Sequence, residues 1–562
     1  MRENPTISHG FGCRREFHVF CLTALFLLVI TGFLHFWKIG EIPNGFFIDE
    51  SLIGYNVWCA YETGVDEDGY EYPVFSKNAK SCFCTNPDPV AAYLLAPMIK
   101  VFGLEKWVVR FPCALFLILA SVAFYFLATK FVGNRWLCLG GAFVFSILPW
   151  SFPLSRIGIG GHMHLLFGII AGCYFLLDAV GRRSKISAVL AGVFCAFAMC
   201  SQNPGRPITA SLLVCFVLAL NILLLKRWKV FAVFIMTYML FLLPMINIAL
   251  FSPKSMTSRF SSISAWSDNC GVFEAILRVL GRYIEYFSPV FLFLSGDPIL
   301  RHHTGESGEL YIFMAPFIIA GLYSLYRGFA TKSYYRFIFL ALALYPLSAA
   351  LTISHMHSTR AINGAVLWVI VAVVGAEYIW NKRKDKIFKI VLYSFMAFSI
   401  FETTSYFINY FGRYVEKSRF DFIAPPVEAF EYAFKNLKPG ETLYVSASVI
   451  PQKVNAEFKP LWYSYFLFFG KVPPEVYRKN GIPKDYVCLY RGQVSKPGIL
   501  IRNSFIETQN KEGRIVPVEN PEVIPENSSL IHQIPIVPGS KYCIEVYRFP
   551  LAVHKDVPSF IP

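Results

Sequence analysis

Along most of this chain, apolar runs of membrane-crossing length recur, and every second short loop between them is basic. The runs cover residues 17–36, 109–131, 137–154, 163–180, 186–201, 208–225, 230–250, 310–325, 337–353, 361–380 and 387–406. A hydrocarbon core about 30 Å thick takes ~20 apolar helical residues to cross. Inside lipid every backbone N–H and C=O must find its partner within the segment, so runs of this kind fold as helices. The reading is an all-α polytopic membrane domain of about eleven transmembrane helices.

The alternating loop charge orients these helices. One set of loops holds Lys130 and Arg135; Arg182, Arg183 and Lys185; Lys226, Arg227 and Lys229; Arg327, Lys332 and Arg336; and Lys382, Arg383, Lys384 and Lys386. The positive-inside rule places these loops and the N-terminus in the cytoplasm of a multi-pass cell (plasma) membrane protein, and the odd number of spans puts the C-terminal part outside. Arg14-Arg15 precede the first run and Trp37-Lys38 follow it, too bulky for signal cleavage, so it reads as an uncleaved span. The formal charge of +15 is explained by this orientation. No basic face with interleaved aromatics appears, which excludes nucleic acid as a partner.

Three long segments fall on the outer side. The division is a transmembrane domain, 1–408, with long outer loops at 37–88 and 251–309, and an extracytoplasmic domain at 409–562. In the latter, Val427, Phe430, Phe434 and Leu437 have helical spacing, and residues 443–450 read as a strand, so a small mixed α/β domain is expected. Cys488 and Cys543 are candidates for a disulfide that sequence alone does not establish.

The ionisable residues that stand out lie at span ends and in outer loops. Asp49-Glu50 sits among Phe46, Phe47, Ile48, Leu52, Ile53, Tyr55 and Trp58. Two carboxylates in that setting suit a general base and an orienting partner; the plainer reading is a solvated loop, and Asp66-Glu67 shows that such a dipeptide recurs by chance. Arg156 ends the third run and reads either as an interfacial anchor or as an anion ligand, with Gly158, Gly160 and Gly161 open to close approach. His162 and His164 are helix-start residues or a weak metal signal. The stretch 286–303 ends on a basic tip, Arg301-His302-His303, suited to a phosphate or to lipid headgroups, and residues 354–360 end on a further cation, Arg360. No phosphate-binding glycine loop, dinucleotide fingerprint or zinc signature appears.

At these residues the chain resembles the GT-C glycosyltransferases related to protein O-mannosyltransferases and aminoarabinose transferase. The matching stretches are 42–69, 89–93, Ser155-Arg156, 287–302 and 351–360. The resemblance implies transfer of a hexosyl or pentosyl group from a polyprenyl-phosphate carrier to an acceptor (glycan, lipid or protein) on the outer face, with inversion. It implies catalysis by Asp49, beside which Glu50 stays the orienting partner read above, and basic residues holding the phosphate. Relatives often carry a Lys before a Pro-Pro pair, whereas this chain reads Thr85-Asn86-Pro87-Asp88-Pro89. Phosphate binding then falls to Lys80, Arg156, Arg301, His302 and Arg360. No cofactor is required by the pattern, no metal ligands are assigned, and a divalent cation stays open. The rival classes are a transporter or lipid flippase, which would place ionisable residues near mid-membrane, and an inactive membrane scaffold.

Overall fold

The apolar runs fold as helices in a computed structural model that describes residues 14–67, 69, 89–251, 260–261, 263–266, 270–382, 386–449, 463–481, 487–490, 494–509, 515–536 and 539–550. Among the described residues, five helices are long and apolar enough to cross a membrane: Arg15–Phe36, Lys106–Ala128, His162–Arg182, Trp228–Phe251 and Asn363–Asn381. Shorter apolar helices are Tyr93–Phe102, Arg135–Ser146, Lys185–Ser201, Gly205–Asn221 and Ile312–Gly328. The run expected at 337–353 is broken, with one helix at Ser333–Leu344 and a short turn at Leu347–Ala350 either side of Pro346. A helix at Pro89–Phe102 is additional to the expected runs. The chain is a multi-pass helical membrane protein.

Local signals set the helix limits. The Asn134 side chain accepts from Trp136 N and Leu137 N at 3.0 and 3.4 Å and so starts Arg135–Ser146. Ser184 accepts from Ser187 N at 3.1 Å and starts Lys185–Ser201. Helix pairs close on small residues, as membrane helices do where no hydrophobic force separates protein from lipid. A Cβ on Gly375 would lie 1.8 Å from the Phe317 carbonyl oxygen, and one on Gly321 2.0 Å from that of Val371. Only glycine lets the Ala315–Gly328 and Asn363–Asn381 helices approach that closely. On the basic-loop side, Lys130 and Arg182 reach Asp178 at 2.6 and 3.1 Å.

The chain divides into two units: residues 1–43 with 70–418, and residues 44–69 with 419–562. This differs from the division at 408 expected above. The segment 44–69 packs with the C-terminal residues, because the Ile48–Thr63 helix shares its buried face with the Tyr463–Phe469 helix. Ser51 Oγ lies 2.7 Å from Ser464 Oγ, Tyr55 donates to the Val472 carbonyl at 2.9 Å, and Phe46 N–H donates to the Phe422 carbonyl at 3.0 Å.

The rest of the second unit is mixed α/β. Its strands are β1 (Thr442–Ser446), β2 (Val487–Tyr490), β3 (Gly498–Asn503), β4 (Phe505–Gln509), β5 (Ile515–Glu519), β6 (Ser529–Pro535) and β7 (Cys543–Phe549). The five-stranded sheet runs β2-β1-β3-β7-β6, with β1 parallel to both neighbours and β7 antiparallel to both of its own; β4 and β5 form a separate hairpin. Tyr444, Tyr490, Leu500 and Phe549 form one apolar cluster of this sheet. The apolar spacing read at 427–437 is the Ala424–Asn436 helix, and the strand read at 443–450 is β1 followed by a tight turn at Ala447–Val449. Cys488 and Cys543 are free thiols on strands separated by two others, so the disulfide does not form.

Candidate active site

The residues singled out above fall into both units. In the second unit, Asp49 and Glu50 occupy the first turn of Ile48–Thr63, where the helix N-terminus favours negative charge. The two carboxylates have different surroundings. Glu50 is fully buried, and its Oε2 accepts the Phe47 N–H at 2.9 Å, closing an otherwise unsatisfied end of the helix. Asp49 is half-buried. The Tyr465 hydroxyl lies close enough to feel both; burial first, then the charges of Glu50 and Asp49, push it well above its ordinary range. Asp66 and Glu67 are buried as well, with Glu67 bonded to the Tyr463 hydroxyl and its N–H to Asn56 Oδ1 at 3.2 Å. That pair belongs to the packing of the unit.

In the first unit, Arg156 is 0% exposed. Its Nη1 donates to the carbonyls of Leu34 and His35 at 2.6 and 2.7 Å, and its Nη2 to those of Trp37 and Ile42 at 2.7 and 3.0 Å. The guanidinium also lies 5.2 Å from the centre of the Phe411 ring. The fork expected to grip a phosphate thus satisfies two of the last carbonyls of the first helix and two of the turns that follow it. The adjacent glycines serve packing too: a Cβ on Gly158 would meet the Val109 side chain at 2.7 Å. His162 begins its helix with Nδ1 3.0 Å from the Ile159 carbonyl and Nε2 2.7 Å from Gln202 Nε2, and His164 is buried against Phe116.

Two stretches that are far apart in sequence, 287–311 and 352–360, come together. A short π-helical turn at Val290–Leu294 leads into Gly296, whose φ of +65° and close contact with the His303 ring (2.6 Å from a built Cβ to Cε1) fit glycine alone. Asp297 and Glu309 follow, both 0% exposed. Asp297 Oδ1 accepts from Ile299 N at 2.8 Å; its Oδ2 accepts from Ser358 N at 2.8 Å and faces His302 Nδ1 at 3.0 Å. Glu309 Oε1 accepts from Asp297 N at 3.0 Å and from the Ser358 hydroxyl. The His302 and His357 rings lie 4.7 Å apart.

Electrostatics separate the two carboxyls. Burial works against ionisation of Asp297, but the His302 hydrogen bond and charge outweigh it and hold the group below its usual value. Burial, then the Asp297 charge, push Glu309 well above the carboxylate range. Two close buried carboxylates do not both ionise without added positive charge. Burial, with His302 and Arg360 alongside, pushes His357 down to about 2, and burial pushes His303 down to about 4. Both imidazoles are neutral near pH 7.

Of the cationic candidates, Arg301 is half-buried beside this centre in sequence, and Arg360 Nη1 donates to the hydroxyls of Thr352 and Ser354 at 2.6 and 3.1 Å. Lys80 lies outside the described residues. Asp297 and Glu309 were not picked out by sequence reasoning. The only signal was a Gly296-Asp297-Pro298 turn and one acid directly before an apolar helix.

Residues 85–253 match the family model described as dolichyl-phosphate-mannose-protein mannosyltransferase. No curated protein sequence matches. Among solved structures, ArnT from Cupriavidus metallidurans, bound to undecaprenyl phosphate, is similar at 11% identity and a TM-score of 0.50, over 89% of this chain and 98% of that one. The apo oligosaccharyltransferase from Archaeoglobus fulgidus gives 14% identity and a TM-score of 0.49, over 90% of this chain and 75% of that one. The chain is therefore similar to the protein mannosyltransferase family over residues 85–253, and over most of its length it shares the fold of ArnT.

Proposed function

We propose that this protein moves a hexosyl or pentosyl group from a polyprenyl-phosphate carrier to an acceptor on the extracytoplasmic face, inverting the anomeric carbon. The observation that carries this reading is the mannosyltransferase match over residues 85–253. The solved ArnT, whose fold the chain shares, holds undecaprenyl phosphate, a ligand of the proposed donor class. Chemically, Asp49 takes the proton of the acceptor hydroxyl as its oxygen attacks the anomeric carbon. The bond from that carbon to the phosphate oxygen breaks on the opposite face, and the polyprenyl phosphate leaves with the electron pair. Arg301 and Arg360, with Lys80, meet the charge that develops on the phosphate, as fixed cations do best where water is excluded. Arg156 acts as a positioning residue for the segment that leads to Asp49.

The carrier is too apolar to leave the bilayer, so its phosphate stays at the interface; this favours outer-loop catalysis and fits ionisable groups placed at span ends. The test is purified protein with radiolabelled polyprenyl-phosphate hexoses and pentoses. Release or transfer of sugar from one of these donors is expected, with loss in Asp49→Asn; no release from any donor overturns the reading. The orientation has its own check. A reporter active only outside the cytoplasm should give signal when fused after Asn409 and none after Lys384, and the reverse pattern places the chemistry on the wrong side.

A further inference from the structure

We propose that Asp297, His302 and His357 form a binding site for a divalent transition metal of the Zn²⁺ class, joining the loop around 297–302 to the loop around 357. One ligand atom from each of the three residues lies within 4.8 Å of the others. Zinc bonds to imidazole nitrogen and carboxylate oxygen run about 2.0–2.2 Å, so two ligands of one ion stand roughly 3–4 Å apart. The 3.0 Å between Asp297 Oδ2 and His302 Nδ1 is already such a spacing. The two atoms are hydrogen-bonded, and a cation between them takes the place of the shared proton.

The surroundings are those of a built site. The Thr359 hydroxyl lies 2.9 Å from His357 Nδ1, which leaves Nε2 as the remaining ring nitrogen and sets the ring's orientation. Backbone N–H groups of Ile299 and Ser358 fix the Asp297 carboxylate at 2.8 Å each. Outer partners of this kind orient first ligands in metal proteins. Glu309 supplies an independent observation. It is fully buried and bonded to the Asp297 N–H, yet its Oε2 has no partner among the described residues. An unpaired oxygen on a fully buried carboxyl beside Asp297 marks a centre whose polar groups the described residues do not all satisfy. Two imidazoles with one carboxylate select a borderline ion such as Zn²⁺ over Mg²⁺ or Ca²⁺, which take all-oxygen shells. Three protein ligands leave at least one position open.

This inference goes beyond the transfer reading, and its test uses neither donor nor acceptor. Full-length protein without a histidine tag is purified in detergent, stripped with a chelator, and titrated with Co²⁺ and then Zn²⁺. One Co²⁺ per chain with visible absorption is expected. Displacement of that Co²⁺ by Zn²⁺, and a higher melting temperature with Zn²⁺, are expected as well. His357→Gln should weaken binding at least ~10-fold. His355→Gln, two residues away and paired to Glu285 at 3.0 Å, should leave it unchanged. X-ray absorption on the Zn²⁺-loaded wild type needs no variant, and should show nitrogen and oxygen neighbours near 2.0 Å. No uptake by the wild type at micromolar metal overturns the site. Equal uptake by a folded His357→Gln, or sulfur at about 2.3 Å, assigns any bound ion elsewhere and overturns it too.

Discussion

Two carboxylate pairs of this molecule, Asp49 with Glu50 and Asp297 with Glu309, are buried in different ways. At the start of Ile48–Thr63, Glu50 is fully buried and caps its own helix, while the adjacent Asp49 keeps part of its surface. In the 297–309 loop both carboxyls are sealed, and each accepts backbone or hydroxyl hydrogen bonds from the same few residues. The difference separates roles. A carboxylate that takes a proton from an incoming hydroxyl needs an accessible face, and Asp49 has one. A sealed pair cross-linked to histidines suits holding loops together or holding a cation.

The sharpest way to break this comparison is to remove the charge at Asp49. Asp49→Asn keeps the shape and the first-turn position, so folding should be unchanged and transfer should fall by roughly 10²–10⁴-fold. Asp66→Asn is the control and should change turnover much less. Equal turnover in the wild type and the Asp49 variant, measured with the same labelled donor, would remove Asp49 from the chemistry.

Next in size is the effect at Arg156, and it is an effect on folding. Arg156→Ala leaves the carbonyls of Leu34, His35, Trp37 and Ile42 without their donor. Each buried group left unpaired costs about 1–3 kcal/mol. Loss of folded yield, or a large fall in melting temperature in detergent, is expected. Arg156→Lys should repair little, because one ammonium lacks the planar fork that serves four carbonyls. A variant that melts like the wild type and fails only in donor use would restore the phosphate-ligand reading.

Much of this fold was legible in the sequence because a bilayer leaves few choices. Residues 109–131 and 361–380 were read as spans from apolar length, and the helices Lys106–Ala128 and Asn363–Asn381 lie there. The run at 337–353 misled because hydropathy does not register that Pro346 ends a helix. The site was legible only as separate pieces. The stretches 287–302 and 354–360 were both marked, but their meeting at Asp297 is a tertiary event with no sequence period. Arg156 was marked as unusual, correctly, yet a buried Arg looks alike in sequence whether it holds a ligand or its own backbone. The membership of 44–69 in the C-terminal unit was equally hidden, since contacts such as Ser51 with Ser464 join residues more than 400 apart.

A smaller effect should come from Arg301. Loss of one charged hydrogen bond to phosphate costs about 1.5–3 kcal/mol, roughly tenfold to a hundredfold. In a donor titration, Arg301→Ala should raise the donor concentration needed by that factor and leave acceptor dependence alone. Arg360→Ala adds a complication, because it also frees the hydroxyls of Thr352 and Ser354. Its melting temperature therefore has to be read beside its kinetics. Normal donor use by both variants would make these arginines lipid-interface anchors.

The smallest effect separates Glu50 from its neighbour. Its Oε2 accepts the Phe47 N–H at 2.9 Å, and a glutamine in its place still offers a carbonyl oxygen at the same reach. Glu50→Gln should therefore keep the cap, the melting temperature and most of the turnover. Glu50→Ala removes the acceptor from a site with no exposure, and should cost about 0.5–2 kcal/mol of stability, the range of a lost helix cap. If Glu50 instead orients Asp49 through its charge, glutamine will fail in turnover while melting normally, because it keeps the cap and loses the charge. Turnover lost without stability lost is the measurement that decides whether the pair at the head of Ile48–Thr63 is one catalytic carboxylate and one cap, or a coupled pair.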